Sequence, residues 1–475
     1  MKLLVVGAGY VGLVSATCFA EFGFDVICVD QDAEKIKRLK NLEIPIYEPG
    51  LENLVRKGVE EGRLSFSDSL SKTVNQNPDV QVIFLAVGTP TRRGSDEADL
   101  KYIEAVIDEL ALLLNQESQN QSDKTIVIKS TVPVGTTRAM AARFRALNPG
   151  YRSHSNQLPA KIAFASNPEF LREGAALHDF MKPDRVIVGL ENPELESAHF
   201  SYRHLETVYR PLYLFQTPSL FVDLESAELI KYASNAFLAT KIAFINEMAD
   251  LAEACGADVQ KVAQGMGLDG RIGAKFLHPG PGFGGSCFPK DTRALMSLAR
   301  RQDAPSLLVE AVVASNTKRQ TRMLDKITKA AQGQLADCKI AILGVAFKPQ
   351  TDDIRESPAL GIISELLRQG AFVQAHDPIA MPQAKAYFKS QAGLSWHENA
   401  YEAIKGTSIV VLITEWNTFR SLNLPKVAEL MEVDPGLGQT KTFIDLRNVY
   451  DLKDWKNLNV NYISIGRKGI KAINA

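Results

Sequence analysis

The chain has 475 residues, 45% hydrophobic and 23% charged, the balance of a water-soluble globular protein and too long for one ordinary core, so two or three domains are expected. A formal net charge of -1 and a pI near 6.7 leave no electrostatic footprint for nucleic acid, and no apolar run is long enough to span a bilayer. Five cysteines, at 18, 28, 255, 287 and 338, are odd in number and scattered without a Cys-x-x-Cys pair; this predicts neither a disulfide framework nor a metal site, and it points to the reducing cytoplasm.

The first element is the apolar run Lys2 to Val6, which leads into Gly7-Ala-Gly9-Tyr10-Val11-Gly12, a helical stretch to Glu21 and a second strand from Asp25 to Asp30. Each glycine has a task in a dinucleotide site: Gly7 makes the tight turn, Gly9 admits a pyrophosphate, and Gly12 allows close helix packing. The pyrophosphate would sit on amides at the helix N-terminus, where Tyr10, Val11 and Gly12 begin the helix. Asp30 closes the second strand at about the spacing expected of the acid that accepts from the adenosine ribose, and its charge would repel a 2'-phosphate, favouring NAD over NADP. Met1-Lys2 and the apolar residues after it superficially fit a signal peptide, but a leader would not be followed by the matching strand and its acid.

Further along, strands are expected at Val80 to Val87, ending in Gly88-Thr89, at Thr125 to Lys129, ending in Ser130-Thr131, and at Ile162 to Ser166. Ligands of open parallel sheets bind beyond the carboxyl ends of the strands, so Thr89 and Thr131 sit where cofactor contacts belong. Polar stretches Asn115 to Lys124 and Asn148 to Lys161 read as loops. From Leu224 to Gly256 the pattern is helical and unusually long, with apolar positions on more than one face; it predicts a broadly buried helix spanning two domains or a subunit interface.

The segment Phe283-Gly-Gly-Ser-Cys287-Phe-Pro-Lys-Asp291 offers a thiol where a helix should begin and a carboxylate four residues on. Pro289 suits a first helical turn, and Gly284 and Gly285 suit close approach to a ligand. A helix N-terminus favours the thiolate, which is the nucleophile; a lone buried thiol is otherwise a small hydrophobe. From Lys339 onward the logic of the first region repeats: Ile340 to Gly344 as a strand, Pro358 to Arg368 as a helix, Phe372 to Asp377 as a strand ending in an acid, then strands at Ser408 to Thr414 and Thr442 to Asp445. The first loop of this repeat holds Phe347-Lys348 and Arg355-Glu356-Ser357 in place of the glycine triplet, implying a different, phosphorylated ligand. The expected architecture is α/β, with two Rossmann-like doubly wound parallel sheets joined by a long central helix. The expected boundaries are 1-215 for an NAD-binding domain, 216-325 for a central helical domain with the cysteine loop, and 326-475 for the second Rossmann-like domain.

These segments, with Glu48-Pro-Gly-Leu51, Asn167 to Gly174, Lys231 to Thr240 and Arg271 to Asp291, resemble the nucleotide-sugar dehydrogenases of the UDP-glucose/GDP-mannose dehydrogenase family, in the family's order and over nearly the whole chain. The resemblance implies four-electron oxidation of the C6 alcohol of UDP-glucose to a carboxylate with two NAD in turn, in a homodimer, with dimer contacts in the central domain, 216-325, and UDP binding in the last, 326-475. It implies that Cys287 attacks the intermediate aldehyde, that Lys231 stabilises the resulting oxyanion, and that Asp291, Glu169, Asn235 and Thr131 position water and assist proton transfer. Lys231 and Asn235 stand one helical turn apart. For NAD the resemblance adds Lys35, Lys290 and Arg355 to Asp30, Thr89 and Thr131, with Glu169 also beside the cofactor. For UDP-glucose it implies Glu169, Phe170, Leu171, Arg172, Glu173, Lys231, Asn235, Phe276, Leu277, His278, Pro279, Gly280, Gly284 and Lys348, with Arg271 reaching in from the other subunit. Three alternatives stay open: a GDP-mannose enzyme, a UDP-N-acetylmannosamine enzyme, against which Ser286 before the cysteine argues, and a catalytically inactive NAD-binding regulator.

Overall fold

The computed structural model describes residues 1-92, 94-114, 122-148, 162-194, 199-434 and 440-472, so the two expected polar loops lie outside the described residues except at their ends. The chain divides into two units, Met1–Ser234 and Asn235–Ala475.

In the first unit eight strands form one sheet: β1 (Lys2–Val6), β2 (Asp25–Val29), β3 (Leu64–Ser67), β4 (Val80–Leu85), β5 (Lys124–Ile128), β6 (Ile162–Ser166), β7 (Val186–Leu190) and β8 (Ser219–Asp223). They lie in the order β3-β2-β1-β4-β5-β6-β7-β8, with every neighbouring pair parallel except β6 with β7. A strand of such a sheet is covered on both faces, which is why β1 is an unbroken apolar run. Its side chains alternate between two cores: Leu3 and Val5 pack into one cluster with the helix Tyr10–Glu21, and Leu4 and Val6 into the other with the helix Lys101–Leu113. Leu4 is fully buried, and Leu4→Ala would cost about 2–5 kcal/mol in lost transfer energy and cavity.

The second unit carries β9 (Lys339–Leu343), β10 (Phe372–His376), β11 (Leu394–Trp396), β12 (Ile409–Leu412), β13 (Thr442–Asp445) and β14 (Asn461–Ser464). All neighbours are parallel in the order β11-β10-β9-β12-β13-β14, so the strand order of the first six strands of unit one recurs. Both sheets reverse direction of growth between their first and fourth strands, and that reversal opens the crevice where doubly wound folds take their ligands.

The long helix runs over Leu224–Cys255, as its pattern predicts. Within the single chain only part of that burial is present. In the second unit Phe237, Phe244 and Leu251, seven residues apart, are 65%, 45% and 54% exposed, while Ala239, Ile245, Ala249 and Ala252 on other faces are buried. Apolar positions on several faces of this helix reflect one buried face and one uncovered apolar stripe. Among the described residues no helix is long and apolar enough to cross a membrane.

Candidate active site

In the first unit the fingerprint glycines divide into two kinds. Gly7 has φ +104, and a Cβ there would lie 2.6 Å from the Ala86 carbonyl oxygen; a Cβ on Gly12 would lie 1.8 Å from that of Gly7. These two are glycines because the turn and the packing of helix on strand leave no room. A Cβ on Gly9 would meet no protein atom within 4 Å, so packing does not demand glycine there. Beside this loop lies a cavity of about 480 Å³ lined by Gly7, Gly9, Asp30, Lys35, Leu70, Val87, Gly88, Tyr102 and Val106, among others. Leu70, Tyr102 and Val106 escape the sequence reading because they come from helices that carry no motif.

Asp30 follows directly on β2. Its Oδ2 accepts from the Ala8 amide at 2.8 Å and from Lys35 Nζ at 2.9 Å, and its Oδ1 accepts from the Asp32 amide at 3.0 Å. Burial pushes this carboxyl up, but the amides and the ammonium outweigh it and hold it below the usual range. It is therefore an ionised acceptor on the cavity wall. Thr89 and Thr131, beyond β4 and β5, are joined by a hydrogen bond from Thr89 Oγ1 to the Thr131 carbonyl at 2.9 Å.

The segment after β6 is held from several sides. Lys231 Nζ donates to Glu169 Oε1 at 2.9 Å and to the Glu169 carbonyl at 2.6 Å, and both residues are buried. Burial raises the Glu169 carboxyl, yet Lys231, the Leu171 amide and Lys129 bring it below its ordinary value. Phe170 lies under the Arg185 guanidinium, 3.6 Å from ring centroid to Cζ. Arg172 is exposed and paired with Asp179 through two side-chain bonds. Glu173 precedes Gly174, whose amide donates to Glu48 Oε2 at 2.6 Å. Glu48 also accepts from the Ala176 amide and from the Tyr10 hydroxyl, so one buried carboxylate ties the first residue of the fingerprint helix to the Glu169–Gly174 segment. Lys129 is buried, donates to Asn167 Oδ1 at 3.1 Å, and is pushed down to about 8 by burial.

In the second unit the helix after the cysteine spans Phe288–Arg301, four residues more than the run from Thr292 suggests, with Pro289 in its first turn and Cys287 at its N-cap position. Cys287 is half-buried. The Asp291 amide donates to the Cys287 carbonyl at 2.8 Å, and the buried Asp291 carboxylate accepts from Asn235 Nδ2 at 2.6 Å and pairs with Lys290 Nζ at 3.1 Å. The thiol, the carboxylate, the amide and the ammonium are thus assembled at one helix N-terminus.

Gly284 and Gly285 correct an expectation. A Cβ on Gly284 would lie 2.2 Å from the Glu356 carbonyl oxygen, and one on Gly285, at φ +85, 2.7 Å from the Phe347 ring. The close approach these glycines permit is to the loop after β9, and the Gly285 amide donates to the Arg355 carbonyl. Of the preceding segment, Phe276 adopts φ +66, a left-handed conformation that strains a bulky residue. Leu277, Pro279 and Gly280 are buried, and His278 Nε2 bonds the Arg447 carbonyl oxygen at 2.7 Å. Arg271 is exposed and paired with Asp269; Arg355 is likewise paired with Asp353. Lys348 Nζ lies 5.4 Å from the Phe347 ring centroid.

Arg447, two residues past β13, is a residue the sequence reading missed. It donates to the Ile413 and Phe347 carbonyls and would touch any Cβ on Gly280 at 2.9 Å. Its only sequence signal is an arginine just beyond a strand-ending acid. The second sheet also has its counterpart of Asp30. Asp377 is buried, and its Oδ2 accepts from the amides of Val345 and Ala346 and from Trp416 Nε1, its Oδ1 from the amides of Ile379 and Ala380. Five protein donors occupy this carboxylate, so it has no capacity left for a ribose.

Residues 1–213 match the NAD binding domain of the UDP-glucose/GDP-mannose dehydrogenase family, residues 225–318 its central domain and residues 341–452 its UDP binding domain. The chain is 47% identical over 467 residues to a UDP-glucose 6-dehydrogenase of Rhizobium meliloti (strain 1021), covering 98% of this chain and 100% of that one. It is 42% identical to a UDP-glucose 6-dehydrogenase of Bacillus subtilis (strain 168), covering 99% and 94%. Among solved structures it is similar to a UDP-glucose dehydrogenase of the hyperthermophilic archaeon Pyrobaculum islandicum, with a TM-score of 0.84, 34% identity and 98% of each chain covered.

Proposed function

The chain belongs to the UDP-glucose/GDP-mannose dehydrogenase family, and from that premise we propose that it oxidises UDP-glucose and water to UDP-glucuronate, reducing two NAD and releasing three protons per sugar. The observation that carries this reading is full-length similarity to proteins named UDP-glucose 6-dehydrogenase.

The residues of the first unit fit NAD. Asp30 is an ionised acceptor on the cavity wall for the ribose diol, Lys35 fixes that carboxylate, and the open face of Gly9 suits a pyrophosphate. NAD, when bound, supplies the acceptor for each of the two hydrides. The protein supplies the rest. The thiolate of Cys287 adds to the aldehyde carbon, and the oxyanion so formed is matched by the ammonium of Lys231. After the second oxidation the thioester carbonyl is attacked by water, held by the Glu169 and Asp291 carboxylates with Thr131. Asn235, by donating to Asp291, keeps that carboxylate oriented. The UDP group is assigned to the loop after β9, with Lys348 and the missed Arg447, since the occupied Asp377 disfavours an adenosine ribose there. Arg271 is assigned to the partner subunit's sugar site.

This reading divides the chain at 1-215, 216-325 and 326-475. It takes the exposed stripe of Phe237, Phe244 and Leu251 as the face that meets a second copy of the chain, and the cytoplasm, where thiols stay reduced, as the working compartment.

The test is the ratio of NADH formed to UDP-glucose consumed. A value of two supports the reading; activity with GDP-mannose or UDP-N-acetylmannosamine alone moves it to a sister enzyme, and no NADH from any nucleotide sugar leaves an inactive NAD-binding regulator. Cys287→Ser should collapse turnover while both ligands still bind, because serine is a far weaker nucleophile near neutral pH. Normal UDP-glucuronate production by that variant would remove covalent catalysis at Cys287.

A further inference from the structure

Two glycines stand immediately before Ser286 and Cys287, and glycine gives a backbone conformational freedom that a nucleophile must not have. The structure supplies the missing constraint on the segment that leads to them. Gly280 is buried with both its polar groups bonded: its amide donates to Asn246 Oδ1 at 2.8 Å, and its carbonyl accepts from Arg319 Nε at 2.9 Å. Gly282 has φ +120, and a Cβ on it would lie 2.9 Å from Asn316 Oδ1. That same side-chain oxygen accepts from the Phe283 amide at 2.8 Å, while Asn316 Nδ2 donates to the Phe283 carbonyl at 3.0 Å. The Phe283 ring packs with Ala239, Ala243 and Val312. Asn246 belongs to the long helix, and Asn316 and Arg319 lie one turn apart on the helix Leu307–Ala330.

Fold stability alone does not account for this arrangement. Arg319 is 3% exposed, its Nη2 has no hydrogen-bond partner among the described residues, and its pairing with Asp250 is shared with Arg322. Withdrawing a guanidinium from water is costly, and an apolar side chain would fill such a place with less penalty. What an apolar side chain lacks is the set of donors that this guanidinium aims at the carbonyl oxygens of Gly280 and, at 3.2 Å, of Asn246, the residue that holds the Gly280 amide.

We propose that Asn246, Arg319 and Asn316 are positioning residues that fix the backbone from Gly280 to Phe283, and thereby set both the nucleotide-sugar segment Phe276–Gly280 and the approach of Cys287. The inference rests on the function proposed above. The Gly280 pair governs the sugar segment and the Phe283 pair governs the cysteine. Downstream, the bond from the Gly285 amide to the Arg355 carbonyl holds the other end of the glycine pair.

The experiment uses the full-length enzyme. Asn246→Leu removes the acceptor at similar size and Asn246→Asp keeps it; Arg319→Met removes the donor while Arg322 still pairs Asp250. The leucine and methionine variants should raise KM for UDP-glucose at least tenfold with KM for NAD within twofold, and Asn246→Asp should stay within threefold of the parent. Asn316→Leu should lower kcat at least tenfold and change the rate at which iodoacetamide alkylates Cys287, with KM for UDP-glucose held within threefold. If the apolar variants do not fold, Arg319→Lys and Asn246→Asp carry the same comparison: the lysine, with one donor group for both Gly280 and Asp250, should raise the sugar KM and the aspartate should not. The proposal is overturned if the sugar KM stays within twofold in folded variants, if both KM values rise alike, or if alkylation is unchanged in Asn316→Leu. The alkylation arm needs no substrate. Should the wild-type enzyme prefer another nucleotide sugar, the same ratios are read with that sugar, so failure of the substrate assignment and failure of the clamp are distinguishable.

Discussion

Lys231→Met tests the buried pair with Glu169, and the geometry sets the size of the effect. The ammonium and the carboxylate are 2.9 Å apart, with side chains 4% and 7% exposed. At an effective dielectric of about 20 that separation corresponds to about 6 kcal/mol of attraction, largely offset by the desolvation of both ions. Methionine keeps the length, the apolar stem and the helix propensity, but it leaves Glu169 buried without its main counterion. Breaking a buried pair in this way costs about 3–5 kcal/mol. Lys129 also lowers the Glu169 carboxyl and takes over part of the compensation, so the lower end, about 3 kcal/mol, is expected. Neutralising the partner as well, in Lys231→Met with Glu169→Gln, should recover most of that loss and give a coupling of about 2–3 kcal/mol, well beyond the scatter of about 0.5 kcal/mol for independent sites. The assay is urea unfolding followed by far-UV circular dichroism, because Trp396, Trp416 and Trp455 all lie in the second unit and their fluorescence does not report directly on the first. Turnover should separate from stability. Loss of an oxyanion donor costs about 100- to 1,000-fold in kcat, and the double variant should regain stability without regaining that factor. Additive stabilities would refute the buried-pair argument, and turnover restored by the double variant would refute the chemical role of the ammonium.

Asp30→Asn keeps an acceptor for the Ala8 amide but discharges the cavity wall; KM for NAD should rise about tenfold or more and the preference over NADP should narrow, as read from kcat/KM with each cofactor. Glu228 caps the helix Thr136–Leu147 by accepting from the Gly135 and Thr137 amides, and burial pushes its carboxyl up to about 7 despite those donors. An acid whose folded pKa is raised contributes stability that is present below its ordinary value of about 4.5 and is lost as pH rises to about 7; relative to Glu228→Gln, wild-type stability should fall by up to about 3 kcal/mol across that window in urea titrations. On the proposal that the exposed stripe meets a second copy of the chain, Phe244→Glu in its centre should shift sedimentation from dimer to monomer at micromolar concentration; a dimer unchanged by it, or a wild-type chain that sediments as a monomer, would refute that assignment.

Most of both sheets was legible because a strand covered on two faces must be apolar throughout, which is why β1, β2, β4, β5 and β6, and β9, β10, β12 and β13, stand out as runs. The strands that escaped are, β7 apart, edge strands of mixed composition: Leu-Ser-Phe-Ser in β3, Leu-Ser-Trp in β11, Asn-Tyr-Ile-Ser in β14 and the partly exposed Ser219–Asp223 in β8. β7 escaped for another reason. Its Val-Ile-Val-Gly-Leu is as apolar as any, but it pairs antiparallel to β6, outside the alternation that guides a doubly wound reading. The site shows the same division. Glycine spacing, a strand-ending acid and a cysteine before Phe-Pro-Lys-Asp are local patterns with local physical causes. Glu48, Asn246, Arg319 and Arg447 act on backbone atoms 34 to 129 residues away, and no local pattern announces such a partner.

The recurrence of one topology in the two units makes the fate of the acid after the second strand the clearest guide to ligand choice. Asp30 and Asp377 occupy equivalent places, each accepting from an amide of the loop after the first strand of its sheet. Around Asp30 the chain places Gly9 with open space above it and a lysine that leaves the carboxylate on a cavity wall. Around Asp377 it places Trp416, whose indole donates to the acid, and a following turn whose two amides take up the other oxygen. An ionised acceptor with three donors keeps lone-pair capacity for a diol; one with five serves as a structural pin. On the function proposed above, the same fold offers a ribose acceptor in the first unit and a rigid platform in the second, where recognition is assigned to side chains on neighbouring loops, Lys348 and Arg447. Trp416→Phe, which removes one of the five donors to Asp377, should loosen the second unit in urea unfolding without creating NAD affinity there, because the place that Gly9 holds in the first unit is taken in the second by Ala346, whose Cβ stands where a pyrophosphate would approach.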